Sequence, residues 1–209
     1  MVDTAEIDRL LEPFAKLDEQ QLRATSIYID LLLKWNARVN LTAVRNAEEI
    51  VTRHFGESFF TARILGGQGS VRSVIDLGSG AGFPGIPVAM LMPESKVTLI
   101  ESNQKKTTFL KEVVFALGLR NIAVFTGRGE SYPDRANLVT MRAVERFEKA
   151  LATAVALTEP RGRIALMIGS SQADSAKVLG LDVGWRDKIS LPGGYSRILL
   201  IGTKRAKVD

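Results

Sequence analysis

The sequence predicts an α/β fold: a mainly parallel sheet covered by helices on both faces, ending in an antiparallel hairpin and preceded by a helical segment. Three observations carry this. Beyond residue 70, short apolar runs alternate with helical patterns, as in chained βαβ units. The first of those runs feeds directly into Gly78-Ser-Gly-Ala-Gly82. The last two are joined by the turn Leu191-Pro-Gly-Gly194, which reads as a hairpin connection.

The elements follow in order. Ile7, Leu10, Leu11, Phe14 and Leu17 recur at helical spacing and predict a first helix. Asp18, with Gln21 three residues on, has the pattern of a capping box for a second helix. That helix carries Leu22, Ile29, Leu32 and Leu33 inward and ends near Trp35. Trp35-Asn-Ala-Arg-Val-Asn-Leu-Thr42 is rich in short polar side chains that cap and turn. A third helix is expected over Ala47 to Leu65. Gly66-Gly-Gln-Gly-Ser70 is a flexible joint. It divides a helical extension, residues 1–68, from an α/β domain, residues 69–209. In the second part, strands are expected at Val74–Leu77, Val97–Ile100, Ile122–Phe125, Asn137–Met141 and Arg163–Ile168. The hairpin strands are Val183–Ser190 and Arg197–Gly202. Helices are expected from Ile86 to Met92, Gln104 to Leu117, Arg146 to Leu157 and over 172–180.

Composition narrows the chemistry. The 209 residues are 45% hydrophobic and 24% charged, an ordinary globular mix. No cysteine is present, which excludes disulfides, cysteine-ligated zinc, iron–sulfur clusters and a thiol nucleophile. His54 is the one histidine, so no metal site is expected. No apolar run has membrane-spanning length, and the acidic first twenty residues do not resemble a secretion signal. A cytoplasmic monomer is expected, with no membrane partner. The net charge of +5 is unevenly spread. Residues 1–70 hold 8 basic and 10 acidic side chains, and residues 71–209 hold 20 and 13. A basic second half suits a polyanion such as nucleic acid, or simply a solvated surface.

The glycine run is the main signal. Strand, glycine turn and helix bring a nucleotide-like cofactor against backbone amides. A dinucleotide fingerprint needs G-x-G-x-x-G, and Phe83 stands where its third glycine should be. Asp76, just before the loop, would repel a pyrophosphate but suits the ammonium of an amino-acid group, or caps the loop that follows. Both features turn the reading from NAD toward S-adenosylmethionine. A parallel sheet with a terminal antiparallel hairpin fits the class I, Rossmann-like fold of enzymes that use it. Glu101, at the end of the second strand, is placed to accept both ribose hydroxyls of an adenosine, or is an exposed loop carboxylate. Ser102 and Asn103 would cap the next helix. Gly129 and Glu130 lie where backbone amides could read adenine, or in a plain turn. Arg142, at the end of the fourth strand, faces cofactor or substrate, or pairs with Glu130 or Glu145. Arg53 and His54 on the third helix, and Lys105 and Lys106 after the acidic loop, are candidate RNA contacts or ordinary surface residues, and Arg197 is a further candidate.

These stretches, in this order, resemble the RsmG (GidB) family of bacterial ribosomal RNA methyltransferases over nearly the whole chain. The blocks are Trp35-Asn36 with Asn40-Leu-Thr42, Arg53-His54, Asp76-Leu-Gly-Ser-Gly-Ala-Gly-Phe-Pro-Gly-Ile-Pro87, Lys105-Lys106 and Arg142-Ala143. The resemblance implies methyl transfer from S-adenosylmethionine to N7 of a guanine in 16S rRNA or the small ribosomal subunit. It implies a cofactor site of Gly78, Phe83, Glu101, Ser102, Asn103, Gly129, Glu130 and Arg142, to which the reading of the glycine loop adds Asp76 and Gly80; Arg142 is also the catalytic candidate. The chain departs from the family at Met141, usually serine, at Ile168, usually lysine, and at Gly129, usually alanine. The first two positions are expected near the RNA. Competing readings are a methyltransferase for another RNA or a small molecule, and an RNA-binding protein with a degenerate cofactor site.

Overall fold

In the computed structural model, the described residues are 3–144, 146–194 and 196–206; the side chain of Asp187 also lies outside the described set. The sheet grows out of β1 (Ser73–Leu77), where Val74, Ile75 and Leu77 are all buried, the near-continuous apolar run of a strand covered on both faces. A glycine loop and α5 (Gly85–Leu91) lead to β2 (Lys96–Glu101). Then follow α6 (Gln104–Ala116), β3 (Ile122–Thr126), a short 3-10 turn at Gly129–Ser131 and β4 (Ala136–Arg142). The chain continues through α7 (Phe147–Leu157), β5 (Thr158–Gly169), α8 (Ser170–Val178), β6 (Val183–Ser190) and β7 (Arg197–Lys204).

The strand order is β3-β2-β1-β4-β5-β7-β6. β1 to β5 pair in parallel, whereas β7 runs antiparallel between β5 and β6. The predicted hairpin is therefore present, with its second strand against the parallel sheet. The chain moves outward from β1 to β3 and then returns to place β4 on the other side of β1. At such a reversal the carboxyl ends of the strands open a crevice. β5 starts at Thr158 rather than Arg163, through a register shift against β4 between Ala136 and Leu138.

The N-terminal helices differ from the periodicity in two places. α1 (Thr4–Leu11) stops short of Pro13, which has no N–H to continue the ladder. Phe14 and Leu17 are buried all the same, in the link that follows. α2 (Glu19–Asn36) starts at the capping box: Asp18 Oδ1 accepts from the Gln21 amide at 2.8 Å, and Gln21 Oε1 accepts from the Asp18 amide at 3.0 Å. The third predicted helix divides into α3 (Ala47–Glu49), a π-helical stretch at Ile50–Gly56 and α4 (Glu57–Gly66). The wider turn falls on Arg53 and His54; such turns are frequent at functional sites.

One apolar cluster joins these helices to the sheet, combining Ile7, Tyr28, Phe55 and Phe59 with Ile86, Leu99 and Phe109. A second cluster covers the opposite face with Leu151, Ala154, Ile164 and Leu200. Met141 and Ile168 belong to that second cluster, at 0% and 5% exposure. Their side chains therefore pack in the interior, next in the chain to Arg142 and to Gly169 at the strand ends. Among the described residues, no helix is long and apolar enough to cross a membrane.

Candidate active site

A cleft of about 650 Å³ runs along the carboxyl ends of β1, β2 and β4 and under the segment 41–44. At one end lies the glycine loop. The amides of Gly78 and Ser79 both donate to the Ile100 carbonyl, at 2.9 and 3.0 Å, which folds the loop back over β2. Gly78 has φ +72°, and a Cβ there would meet Val144 Cγ1 at 2.8 Å, so both conformation and space demand glycine. Glu101 is held from two sides: Oε2 accepts from the Gly80 amide at 3.0 Å and Oε1 from the Asn103 amide at 2.8 Å. The carboxylate is 8% exposed and lines the cleft. Each oxygen keeps a second acceptor direction, so the pair can take two vicinal hydroxyls.

Asn103 alone caps α6, accepting from the Lys105 and Lys106 amides at 3.0 and 3.2 Å. Ser102 lines the cleft without capping. Lys106 reaches the cleft wall and Lys105 does not. Gly129 and Glu130 line the cleft on the 3-10 turn, where Glu130 pairs with Lys149 at 3.2 Å. Its carboxyl is held below the usual range by its own backbone amide and then by Lys149.

Asp76 sits elsewhere than its sequence reading, whereas Phe83 lines the cleft. Asp76 is 1% exposed and lies beneath the loop, not in the cleft wall; its Oδ1 accepts from Thr140 Oγ1 at 2.7 Å. Burial pushes it up to about 6, against the pull of that hydrogen bond. It supports the loop, and the expected contact with an ammonium group is corrected. Most of the Phe83 ring is buried within an aromatic stack behind the cleft wall. The ring lies parallel to Tyr28 at 5.3 Å and stacks on His54 at 5.1 Å. The Tyr28 hydroxyl donates to the Ala81 carbonyl, so α2 holds the glycine loop directly.

At the other end of the cleft, the π-helical stretch and the strand ends meet. Asn36 shapes the overlying segment: Oδ1 accepts from the Leu41 and Thr42 amides and Nδ2 donates to the Thr42 carbonyl, each at 3.0 Å. His54 Nε2 lies 2.7 Å from Thr42 Oγ1. Burial first, then the charges of Arg142, Arg53 and Arg197, push His54 down to about 3, so its ring is neutral at neutral pH. It lines the cleft as an uncharged ring. Arg53 pairs with Glu49 at 3.1 Å. Arg142 Nη2 donates to the Arg53 carbonyl at 2.9 Å and to Glu57 Oε2 at 3.1 Å. Its partner is thus Glu57, not Glu130; Glu145 lies outside the described residues. Burial lowers Arg142 to about 10, which leaves it protonated. Arg197 Nε bonds the other Glu57 oxygen at 2.6 Å, so Arg197 is tied into this cluster instead of standing free on the surface.

The family model for rRNA small subunit methyltransferase G (GidB) matches residues 21–183. The chain belongs to this family. It is 46% identical over 134 residues to ribosomal RNA small subunit methyltransferase G of Nitrosomonas europaea, covering 63% of this chain and 61% of that protein. The namesake from Roseiflexus sp. is 36% identical over 204 residues, covering 91% and 86%. Among solved structures, a SAM-dependent methyltransferase from Aquifex aeolicus shares the fold with a TM-score of 0.60 at 17% identity, covering 78% of this chain and 96% of that one. The sheet is that of a class I methyltransferase, and the family's cofactor is S-adenosylmethionine.

The site fits that cofactor on its own geometry. The Gly78 backbone leaves room where any side chain would collide with Val144, and the Glu101 carboxylate is fixed with acceptor directions to spare. Sequence reasoning missed Glu57 and Tyr28. Glu57 had a signal: a carboxylate inside Phe55-Gly-Glu-Ser-Phe-Phe60, where a helix face is otherwise apolar. Tyr28 had none, because its hydroxyl contact is 53 residues away in the chain.

Proposed function

We propose that the protein transfers the methyl group of S-adenosylmethionine to N7 of a guanine in 16S rRNA, acting as a monomer in the cytoplasm. When bound, the cofactor supplies an electrophilic methyl on a sulfonium. Glu101 takes the ribose hydroxyls, the turn at Gly129 and Glu130 borders the adenine, and Gly78 gives the rest of the molecule its room. Arg142 orients the base at the far end. The basic side chains around the cleft, Arg53, Lys106, Arg128 and Lys149 among them, favour a polyanionic acceptor.

The observation that carries the choice of N7 is the shortage of a proton acceptor at that end. Among the described residues there, His54 is neutral and weakly basic, and both Glu57 oxygens are engaged by arginines. Guanine N7 holds an in-plane lone pair and carries no proton. Its methylation needs alignment more than a general base. An exocyclic amine would have to shed a proton during the reaction.

The test is incubation of purified small subunits with deuterium-labelled S-adenosylmethionine, then nucleoside digestion and mass spectrometry. Label in 7-methylguanosine is expected. Label only in an exocyclic methylguanosine, or none, refutes the reading.

A further inference from the structure

Glu57 is 1% exposed, yet each of its oxygens meets a different guanidinium: Arg142 Nη2 at 3.1 Å and Arg197 Nε at 2.6 Å. The three residues come from three elements. Glu57 opens α4, Arg142 ends β4, and Arg197 begins β7 opposite Gly169 at the end of β5. Because β7 is antiparallel, its first residue lies at the carboxyl edge of the sheet, where the crevice opens. A buried ionic cluster is a poor way to gain stability, since apolar packing of similar volume does as well or better. The neighbours Phe55, Phe59 and Ala62 show that apolar packing was available. Two guanidiniums on one carboxylate leave one positive charge in excess. Arg142 Nη1 is also a buried donor with no hydrogen-bond partner.

We propose that Glu57 is a positioning residue for the methyl acceptor, clamping Arg142 and Arg197 so that Arg142 donates to guanine O6 and Arg197 meets a neighbouring phosphate. This rests on the guanine-N7 reading. The base edge that presents N7 also presents O6, a second acceptor; adenine places an amino donor there. A fixed donor beside the reacting nitrogen therefore accepts guanine and rejects adenine. Arg142 is 11% exposed and lines the cleft. Arg197 is 34% exposed and lies nearer the surface, where the backbone of a bound RNA would run.

The test uses the full chain and purified small subunits. Glu57→Gln should keep the wild-type affinity for S-adenosylmethionine by calorimetry while kcat for subunit methylation falls by roughly 10²-fold, the scale of a misplaced substrate. Arg197→Ala should reduce the slope of log affinity for subunits against log salt by about 0.7, one phosphate contact on single-stranded RNA. If Glu57→Gln unfolds, Glu57→Asp decides, because it keeps the charge and both arginines but shortens the reach. A positioning role lowers kcat at an unchanged melting temperature and cofactor affinity, whereas with a purely structural role kcat follows the melting temperature. Unchanged kcat in the folded variant, kcat that only follows the melting temperature, or a parallel loss of cofactor affinity each overturns the proposal. Wild-type protein that forms no 7-methylguanosine overturns it together with the proposed function. Wild-type 7-methylguanosine with an indifferent Glu57→Gln overturns the clamp alone.

Discussion

The two ends of the cleft are built in different ways. The cofactor end is made of backbone: glycine turns, amides that grip Glu101, and an asparagine cap, all within about one βαβ unit. The acceptor end is made of side chains that meet only in three dimensions. Arg142 bonds Glu57 across 85 positions and Arg197 does so across 140. Backbone geometry is set by local sequence, so the first end tolerates few residues but is fixed by neighbours in the chain. The second is fixed by charge pairing among the N-terminal helices and two strands.

The sharpest way to break this contrast is at Gly78. Gly78→Asp puts a side chain at φ +72° into Val144 and adds a carboxylate. Backbone strain alone costs about 1–3 kcal/mol, before the overlap. Cofactor binding by calorimetry should be lost. Wild-type affinity in this variant would mean that the loop does not face the cofactor. Glu101→Gln comes next. An amide cannot accept from both Gly80 and Asn103 through two charged oxygens, and charge-assisted hydrogen bonds contribute about 1.5–3 kcal/mol. Affinity for S-adenosylmethionine should fall by roughly 10- to 100-fold. A change below twofold would remove Glu101 from the ribose.

Tyr28→Phe tests how far the N-terminal helices reach into the cofactor end. The ring and its stack on Phe83 remain, but the Ala81 carbonyl loses its buried donor. The cost to stability is about 1–3 kcal/mol, read as a lower melting temperature, with a few-fold weaker cofactor binding. If neither changes, α2 does not support the loop, and the glycine turn stands on its own strand.

The same contrast explains what was legible in the sequence. Ser73 to Pro87 and Glu101 could be read because a glycine turn after a strand has a fixed register, and an acid at the next strand end follows from it. The mainly parallel sheet followed from the alternation of apolar runs with helical patterns, and the hairpin from the turn Leu191-Pro-Gly-Gly194; the strand order did not. Arg142 was legible as a position at a strand end, but not its partner, because nothing local links it to Glu57. Asp76 was misplaced because sequence gives its nearness to the loop but not which way its side chain turns; Thr140, on the neighbouring strand, decides that. His54 was legible as a candidate beside Arg53 but its protonation state was not: burial and then three arginines keep it neutral, and that environment is assembled from distant elements.

His54 at one end and Asp76 at the other are shifted in opposite directions, and their effects oppose one another. His54, pushed down to about 3, gives stability that is complete above the ordinary histidine range near 6.5 and is lost as pH falls toward 3, because the unfolded chain binds the proton first. Asp76, pushed up to about 6, does the reverse. Its contribution is complete below the ordinary value of 3.8 and is lost as pH rises through 6. Between pH 4 and 6 each can contribute up to about 1.4 kcal/mol per pH unit, with opposite sign. The wild-type melting temperature should therefore vary little from these two groups across that window. Asp76→Asn should steepen the loss on acidification, and His54→Phe should reverse it, so that the variant gains stability as pH falls from 6 to 4. Melting temperatures at half-unit steps from pH 4 to 7.5 separate the two. Identical slopes in both variants and the wild type would show that neither end holds its buried group in the form that the surrounding charges and burial impose.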